Sequence, residues 1–474
     1  MVFNSFQFLW LFPLIFAVYY AVVRFAGTWH HGRAANLLLV IISYGVYAQW
    51  GLGYAAVMLG VTVVTYVSAR LIERHNAYGS KRYLVVTGAV LALLPLLVLK
   101  YSGLLVDLAG IVYAPARSVE VSLVAPMGIS FFSFQALGYL FDVYRRRIEA
   151  EHDWWDYMLF VSFFPQILCG PISRAENLLP QIKAKRKFCY PAAVEGLKML
   201  LWGMFIKVVM ADRLALYVDL VLGNYTVCSG TSCLMAMVMF TFQIYGDFAG
   251  YSLMACGVGR LLGFDLVNNF RNPYLAVSVT DFWRRWHISL STWLRDYVYI
   301  PLGGSRCGRW RNRLNIIITF AVCGVWHGAR LSYIVWGLLH GLLQVVEKFF
   351  GLGRRESRNV AVKVIRMVVT FVVINVTMLV FRMPTVADAW RCIVQIFTDH
   401  GPLLLVNART TMVYCVASIA VVVAHDILTE YRPGSRVLMC SRNVVVRWGV
   451  YATLTVSIVM AGVLGSGDFI YLRF

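Results

Sequence analysis

The sequence predicts an all-α polytopic membrane protein with about twelve transmembrane helices plus re-entrant helices. Its 474 residues are 60% hydrophobic and only 14% charged, the mean hydropathy is +0.69, and apolar runs of spanning length recur along the chain. Soluble domains usually contain about 25% charged residues, and a soluble fold with so few would leave much apolar surface in water. In a bilayer that surface faces lipid without cost.

The apolar runs place the spans. The predicted spans are residues 3–23, 36–50, 54–69, 83–99, 121–141, 194–222, 232–256, 314–328, 331–346, 364–382, 410–428 and 446–464. The first run lacks a basic segment and a small-residue cleavage site, so we expect a retained helix rather than a signal peptide. The second, third, eighth and ninth runs are short enough for tight hairpins in a thinned region. We expect residues 1–474 to form a single membrane domain.

The net charge of +20 comes from basic clusters in short loops. Examples are Arg145 to Arg147, Lys183 to Lys187 and Arg306 to Arg313. If the spans alternate, these clusters share one side, which the positive-inside rule makes cytoplasmic, with both termini outside. Topology therefore explains the basic charge, and we predict no nucleic-acid partner. The cysteines show no metal-ligand spacing, so we predict no metal.

Two segments carry cytoplasmic charge on both sides, so they should enter and leave on the same face. These are residues 154–174 and 281–304, and we predict that both are re-entrant or interfacial helices. Irregular backbone at membrane depth is tolerated only where protein buries it or water reaches it, so such segments usually line a cavity. The second reads DFWRRWHISLSTWLRDYVYIPLGG and contains His287.

Two histidines are the candidates for chemistry. His327 lies deep in an apolar run, where an ionisable group is costly and usually functional; the alternative is a core histidine bonded to a backbone carbonyl. His287 can take and return a proton near neutral pH; the alternative is a position at the headgroups, with the neighbouring tryptophans as an aromatic belt. Two such groups facing one tunnel would suit transfer of an acyl group to a hydroxyl.

Long motifs support this reading. RNPYLAVSVTDFWRRWHISLSTWLRDYVYIPLGG and VCGVWHGARLSYIVWGLLHG resemble the core signature of the membrane-bound O-acyltransferase family, most closely its bacterial alginate O-acetyltransferase-like branch. GISFFSFQALGYLFDVYR, FFPQILCGPISRAENLLPQI and YGDFAGYSLMACGVGRLLGF extend the resemblance over nearly the whole chain. The resemblance implies helices around a thin core pierced by a central tunnel, with a cytoplasmic thioester donor entering from one side and the acceptor from the other.

The resemblance also assigns residues. His327 stands at the family's catalytic histidine and His287 at its second, more variable one. Supporting positions that line the tunnel or help to bind the donor are Asp281, Trp283, Arg284, Arg285, Ser291, Trp293, Trp326 and Asp247. This chain has Leu253 where relatives commonly have aspartate, and Asp247 is the expected substitute.

The end of the chain, residues 469–474, resembles the terminal aromatic motif of the same branch. In that motif a tyrosine, here Tyr471, has been proposed as an acyl relay. Leu472 and Arg473 stand where Phe and Gln are usual. The alternative for this segment is an interfacial aromatic anchor.

The function implied is a membrane O-acetyltransferase of the bacterial cytoplasmic (inner) membrane. It would use acetyl-CoA as donor, without a bound cofactor, and an extracytoplasmic polysaccharide as acceptor, either an alginate-like exopolysaccharide or peptidoglycan. A secreted partner transferase is expected. The alternatives are D-alanyl transfer to teichoic acid, as in a near relative within the family, and a transporter or flippase, against which stands the absence of inverted repeats.

Overall fold

The computed structural model describes residues 3–25, 32–75, 78–112, 126–167, 170–352, 359–404, 409–432 and 438–463. Within those ranges the chain is helical and contains no β-strand. Two compact units are formed, the described parts of residues 1–200 with 255–267, and of residues 201–254 with 268–474. The expectation of a single membrane domain stays a prediction.

The first unit is built from helices at the start of the chain. They are α1 (Phe6–Phe25), α2 (Arg33–Ala48), α3 (Leu52–Arg74), α4 (Tyr78–Val112), α5 (Ile129–Tyr144), α6 (Trp154–Ser162), α7 (Phe164–Ile167), α8 (Ala175–Lys183) and most of α9 (Tyr190–Met204). Helix α3 packs against α4 and α5, and α2 packs against α6. Several buried polar groups in this core are paired, which avoids the free-energy cost of an unbonded polar group away from water. Tyr157 Oη, for example, donates to Thr65 Oγ1 at 2.7 Å.

The segment 154–174 contains helices α6 and α7, of nine and four residues. Neither is long enough to cross a bilayer, since a span needs about 20 residues. The non-helical backbone that follows bonds to buried side chains: Ser173 N donates to Gln135 Oε1 at 3.3 Å. Gly128 permits this packing, because a Cβ at its position would lie 2.0 Å from the Ile167 carbonyl oxygen. This irregular course suits the predicted re-entrant segment, whose depth in the membrane stays a prediction.

The second unit carries the remaining helices. They are a π-helix (Phe205–Ala211), α10 (Asp212–Gly223), α11 (Gly230–Leu261, up to residue 254), α12 (Val279–Arg285), α13 (Ile288–Leu294), a second π-helix (Arg295–Tyr299), α14 (Arg309–His327), α15 (Leu331–Phe349), α16 (Val360–Arg382), α17 (Val386–Thr398), α18 (Arg409–Tyr431) and α19 (Val444–Ala461). Segment 281–304 is therefore two short helices and a π-turn, with a break at Trp286 and His287.

Helices α14 and α15 approach closely because glycines line their contact. A Cβ at Gly324 would lie 2.3 Å from the Tyr333 carbonyl oxygen, and one at Gly337 would lie 2.3 Å from the Phe320 carbonyl oxygen. Any larger side chain at either position would push the backbones apart. The contact fixes the last turn of α14, which ends at His327.

Seven helical segments in the described ranges are long and apolar enough to cross a membrane. They are α1, α3, residues 79–102 of α4, α11, α16, residues 410–431 of α18, and α19. Most described residues of each of the twelve predicted runs are helical, so the polytopic all-α class is confirmed. The count of twelve spans stays a prediction, because α2 has only 16 residues and the run 194–222 is interrupted by the first π-helix. The third run, named above as a possible hairpin, lies in a full 23-residue helix.

Candidate active site

His287 lies at the break between α12 and α13. Its backbone has φ 43° and ψ 54°, the left-handed region that costs a non-glycine residue roughly 1 to 3 kcal/mol. The residues on either side are held in place, since Ile288 N and Ser289 N donate to the carbonyl oxygen and Oδ1 of Asn269 at 2.9 and 3.1 Å. The imidazole is buried, 1% exposed, and meets the Phe248 ring edge to face at 4.6 Å.

His327 is the last residue of α14 and is also buried, with 3% of its surface exposed. Three rings surround its imidazole at nearly right angles: Trp326 at 4.9 Å, Trp336 at 5.1 Å and Phe381 at 5.2 Å. Perpendicular contacts of this kind fix the plane of the imidazole. The ring is therefore oriented by aromatic packing.

Trp326 brings the two histidines into one cluster. Its ring lies 4.9 Å from that of His327 and 5.7 Å from that of His287, centroid to centroid. The sequence places these histidines 40 positions apart, and the structure joins them through a single indole. Both predicted catalytic residues and the predicted support Trp326 thus belong to the same buried aromatic cluster.

Trp283, another predicted support, is anchored by His340. Its indole Nε1 donates to Nδ1 of His340 at 3.1 Å. Because an indole nitrogen only donates, His340 is fixed as an acceptor at Nδ1. His340 is fully buried and lies 4.8 Å from the Trp336 ring that packs on His327.

A cavity of about 670 Å³ lies beside this cluster, and three predicted supports line it: Trp283, Arg284 and Ser291. The helix α14 contributes residues 316, 319, 320 and 323, which fall on one helical face. His327 continues that face one turn beyond Cys323, about 6 Å further along the helix axis. At the other wall the cavity reaches Ile288, the neighbour of His287. His287 is thus adjacent in sequence to a cavity-lining residue, and His327 lies one helical turn from another.

The cavity wall is rich in basic side chains. Arg284, Arg295 and Lys348 line it, together with one carboxylate, Glu347. The Arg295 guanidinium donates to Asp296 at 2.8 Å, and this hydrogen bond raises its pKa above the usual arginine value. The cavity therefore presents net positive charge beside apolar and aromatic groups.

Glu347 binds the start of α12. Its carboxylate accepts hydrogen bonds from the backbone N of Val279, from Thr280 N at 2.9 Å and from Thr280 Oγ1 at 2.8 Å. Carboxylates stabilise helix N-termini because they satisfy unpaired N–H groups and complement the helix dipole. Glu347 thereby positions the short helix that carries Trp283 and Arg284.

We expect Glu347→Ala to release the start of α12 and to cost about 1 to 2 kcal/mol of local stability. Under the acyl-transfer expectation drawn from the motifs, activity should fall with a raised KM for the acyl donor, because Trp283 and Arg284 lose their fixed positions. The measurement is steady-state acyl-donor cleavage by the purified variant in nanodiscs. Glu149→Ala removes an exposed carboxylate and is the matched control; equal kinetics for the two variants would contradict this role of Glu347.

The other predicted supports lie outside the cavity lining. Asp281 accepts a hydrogen bond from Arg285 Nε at 3.0 Å, and Arg285 Nη1 also donates to Glu430 of α18 at 3.0 Å. This ion-pair network ties α12 to α18, 145 positions further along the chain. Trp293 is buried against Tyr297, with ring centroids 4.9 Å apart. A role of these three side chains in donor binding stays a prediction.

Asp247 is paired with a buried lysine. Lys207 Nζ lies 2.5 Å from Asp247 Oδ1 and 2.5 Å from Asp212 Oδ1, and Lys207 is 1% exposed. Lys207 sits in the first π-helix, and Asp247 immediately precedes Phe248, which contacts His287. The carboxylate expected to replace the one missing at Leu253 therefore forms part of an ionic triad.

Tyr471 and the motif 469–474 lie outside the described residues. In the described part of the chain, no group of three or more His, Cys, Asp or Glu side chains is placed to hold a metal ion. Four further residues of the site were not predicted from the sequence: Arg295, Glu347, Lys348 and His340. Arg295 belongs to the predicted re-entrant segment, and Glu347 and Lys348 form a charged pair directly after an apolar run. These two sequence features could have identified the three residues as candidates.

The comparison with known proteins decides the family. The sequence model of the membrane-bound O-acyltransferase family matches residues 145–383, about half of the chain. The chain belongs to this family. It is thus an O-acyltransferase and a multi-pass membrane protein, and the resemblance drawn from its motifs is confirmed. The matched region contains both candidate histidines, the cavity and the Lys207 triad.

Curated relatives of this O-acyltransferase include a probable alginate O-acetylase of Pseudomonas aeruginosa, 36% identical over 84% of this chain and 75% of the relative. A peptidoglycan O-acetyltransferase of Helicobacter pylori is 32% identical over 82% of this chain and 78% of the relative. A teichoic acid D-alanyltransferase of Bacillus subtilis is 29% identical over 48% of this chain and 60% of the relative.

Proposed function

We propose that this O-acyltransferase passes an acetyl group from cytoplasmic acetyl-CoA across the bacterial inner membrane to an extracytoplasmic polysaccharide. Two relatives that match more than 80% of the chain are named for acetylation of alginate and of peptidoglycan. An acceptor of the same chemical class, an exopolysaccharide or peptidoglycan, is therefore proposed here. A secreted partner transferase completes the transfer in this proposal.

The observation that carries the proposal is the position of the two histidines relative to the cavity. His327 continues the cavity-lining face of α14, and His287 adjoins Ile288 at the cavity wall. The strained backbone at His287 is a further reason to infer function, since such conformations concentrate at active sites. The proposed tunnel runs from the basic cavity to these imidazoles, and segment 281–304 is its proposed re-entrant wall.

In the proposed reaction, His327 acts as general base and accepts the proton of the acceptor hydroxyl. The hydroxyl oxygen then attacks the thioester carbonyl carbon, a C–O bond forms, and the C–S bond breaks. His287 donates a hydrogen bond to the oxyanion that develops, which is effective in a dry, preorganised site. The coenzyme A thiolate leaves and takes up the proton held by His327. Atoms and charge balance without a metal or a bound cofactor.

The donor would bind in the basic cavity. Under the topology proposed from the basic loops, the cavity wall formed by Arg295 and Lys348 lies on the cytoplasmic side. Coenzyme A carries phosphates, for which guanidinium and ammonium groups are the usual partners. Arg284, Arg295 and Lys348 are thus the proposed phosphate contacts, and Trp283 and Ser291 would line the path of the acyl arm.

The immediate acceptor of the acetyl group has three candidates: Tyr471, a serine of the secreted partner, or a sugar hydroxyl. The test uses purified protein in nanodiscs with radiolabelled acetyl-CoA, comparing wild type with Tyr471→Phe for thioester cleavage and covalent label. Label that is lost in Tyr471→Phe supports a relay, and cleavage without label supports a partner or sugar acceptor. Dependence on a D-alanyl carrier protein would instead favour the teichoic acid reaction, and movement of intact substrate without cleavage would favour transport.

We expect Arg284→Gln and Arg295→Gln each to raise KM for acetyl-CoA about tenfold with little change in kcat, since a hydrogen bond to a charged group contributes about 1.5 to 3 kcal/mol. Initial rates of coenzyme A release over a range of acetyl-CoA concentrations provide the measurement. Arg309→Gln, which removes an exposed arginine at the start of α14, is the matched control. An unchanged KM in both cavity variants would place the donor elsewhere.

A further inference from the structure

The start of α11 is pressed against the end of α17. A Cβ at Gly230 would lie 2.0 Å from the Gln395 carbonyl oxygen and 2.5 Å from that of Asp399. Side-chain hydrogen bonds stabilise the same contact. Gln395 Nε2 donates to the Cys228 carbonyl oxygen, and Leu404 N donates to Ser232 Oγ at 2.8 Å. The two helix ends are therefore held with their backbones in near contact.

Two cysteines lie one helical turn from this contact. Cys233 follows Gly230 by three positions in α11, and Cys392 precedes Gln395 by three positions in α17. Both are fully buried, and their thiols interact directly with each other. Both are free thiols in this structure, as is Cys228 nearby. The approach that Gly230 permits brings the two helices close together one turn from both cysteines, and a disulfide requires such closeness, since bridged Cα atoms lie about 4.4 to 6.8 Å apart.

The charge pattern gives the compartment of this pair. The connection before α11, residues 223–231, contains no Lys or Arg, so the proposed topology places it outside the cytoplasm. In that topology α16 ends outside the cytoplasm, so α17, which follows it, lies on the same side of the membrane as the connection before α11. Extracytoplasmic compartments of bacteria are oxidising, and cysteine pairs there are converted to disulfides. Cys189, next to the basic cluster Lys183 to Lys187, lies on the cytoplasmic side and provides an internal reference.

We propose that Cys233 and Cys392 form a disulfide when the protein is assembled in the membrane. An S–S bond forms between the two sulfurs, and the two thiol hydrogens leave as two protons and two electrons. An extracytoplasmic thiol-disulfide oxidant accepts them and becomes a dithiol. The bridge covalently joins α17 to α11, the helix that carries Asp247 and Phe248 beside His287. The proposal rests on the topology and is independent of the donor and acceptor proposed above.

The test maps the redox state of each cysteine in protein made in a Gram-negative host. Cells are quenched with acid, free thiols are blocked with N-ethylmaleimide under denaturing conditions, and the sample is then reduced, labelled with iodoacetamide and analysed by peptide mass spectrometry. We expect Cys233 and Cys392 to carry iodoacetamide, as oxidised residues do, and Cys189 to carry N-ethylmaleimide, as free thiols do. In Cys392→Ala, Cys233 should carry N-ethylmaleimide, whereas Cys228→Ala should leave the pair oxidised.

Two results would overturn the proposal: both thiols carrying N-ethylmaleimide in the wild type, or Cys233 linked to Cys228. The wild-type map decides the question even if Cys392→Ala fails to accumulate. Acetyl-CoA cleavage is measured on the same preparation. If the enzyme is active while both thiols are free, the disulfide is rejected and the proposed function is not. Reduction of the intact bridge should also lower the apparent Tm, because cross-links that close long loops restrict the unfolded chain.

Discussion

Replacing His327 with alanine is expected to lower acetyl transfer by about 10²- to 10⁴-fold, the usual contribution of general acid–base catalysis. The reason is positional: His327 ends α14 on the face that lines the cavity, and three rings fix its imidazole plane. The fall should appear in kcat with little change in KM, because the proton is taken up in the transition state. Coenzyme A release by the purified variant measures it.

The control for this variant is His400→Ala, which removes an exposed histidine of the connection after α17. Folding is checked by size-exclusion profile and apparent Tm, since truncating a buried side chain also leaves a cavity. If His327→Ala is folded and cleaves acetyl-CoA at the rate of His400→Ala, the histidine is a core residue and not a base. His287→Ala should cost less, about 10²- to 10³-fold, the loss seen when one oxyanion donor is removed.

The double variant of the two histidines separates a joint role from two independent ones. If both act on the same transition state, the combined loss should be smaller than the product of the single losses, as residues that work as a unit are strongly non-additive. The shared contact with Trp326 favours that outcome. Fully multiplicative losses would indicate that His287 acts in a separate step.

Hydropathy predicted the helices well because it is a local property of the chain. The runs at 54–69 and 364–382 lie inside α3 and α16, and the boundaries differ by a few residues, where flanking polar residues continue the helix. Breaks were harder to place. The π-helix at residues 205–211 interrupts a predicted span, and its buried lysine, Lys207, pairs with Asp212 and with Asp247, which lies 40 positions away.

The candidate site shows the same difference between features set by local sequence and features set by distant contacts. His287, Trp326 and His327 were predicted because their motifs are contiguous in sequence, and the structure adds that one indole contacts both histidines. Glu347 and Arg285 were different cases, since the first binds a helix start 67 positions away and the second binds Glu430. Such pairings depend on which helices become neighbours, and local patterns of hydropathy and charge do not specify this.

Lys207→Met is expected to destabilise the protein by about 3 to 5 kcal/mol, the cost of removing one partner from a buried ionic group. Lys207 Nζ lies 2.5 Å from both Asp212 and Asp247, and all three side chains are at most 7% exposed. Without the ammonium, two carboxylates remain buried close together. Apparent Tm in nanodiscs and the recovery of monodisperse protein measure the effect.

Lys185→Met is the matched control, because Lys185 is exposed in the basic loop before α9 and surface charges contribute little to stability. Equal Tm values for the two variants would show that the triad is not needed for folding. Neutralising both carboxylates as well, in Lys207→Met with Asp212→Asn and Asp247→Asn, should recover much of the lost stability, since a buried ion group is often replaceable by a neutral one.

The same triple variant tests what Asp247 does at the site. Asp247 immediately precedes Phe248, which meets the His287 ring, so its position is coupled to the cluster through one backbone step. If Asp247 serves only to position Phe248 through its ion pair with Lys207, acetyl transfer should return together with the apparent Tm. If Asp247 instead binds substrate or a proton, stability should return while activity stays low. The two readouts from one protein therefore separate a positioning role from a chemical one.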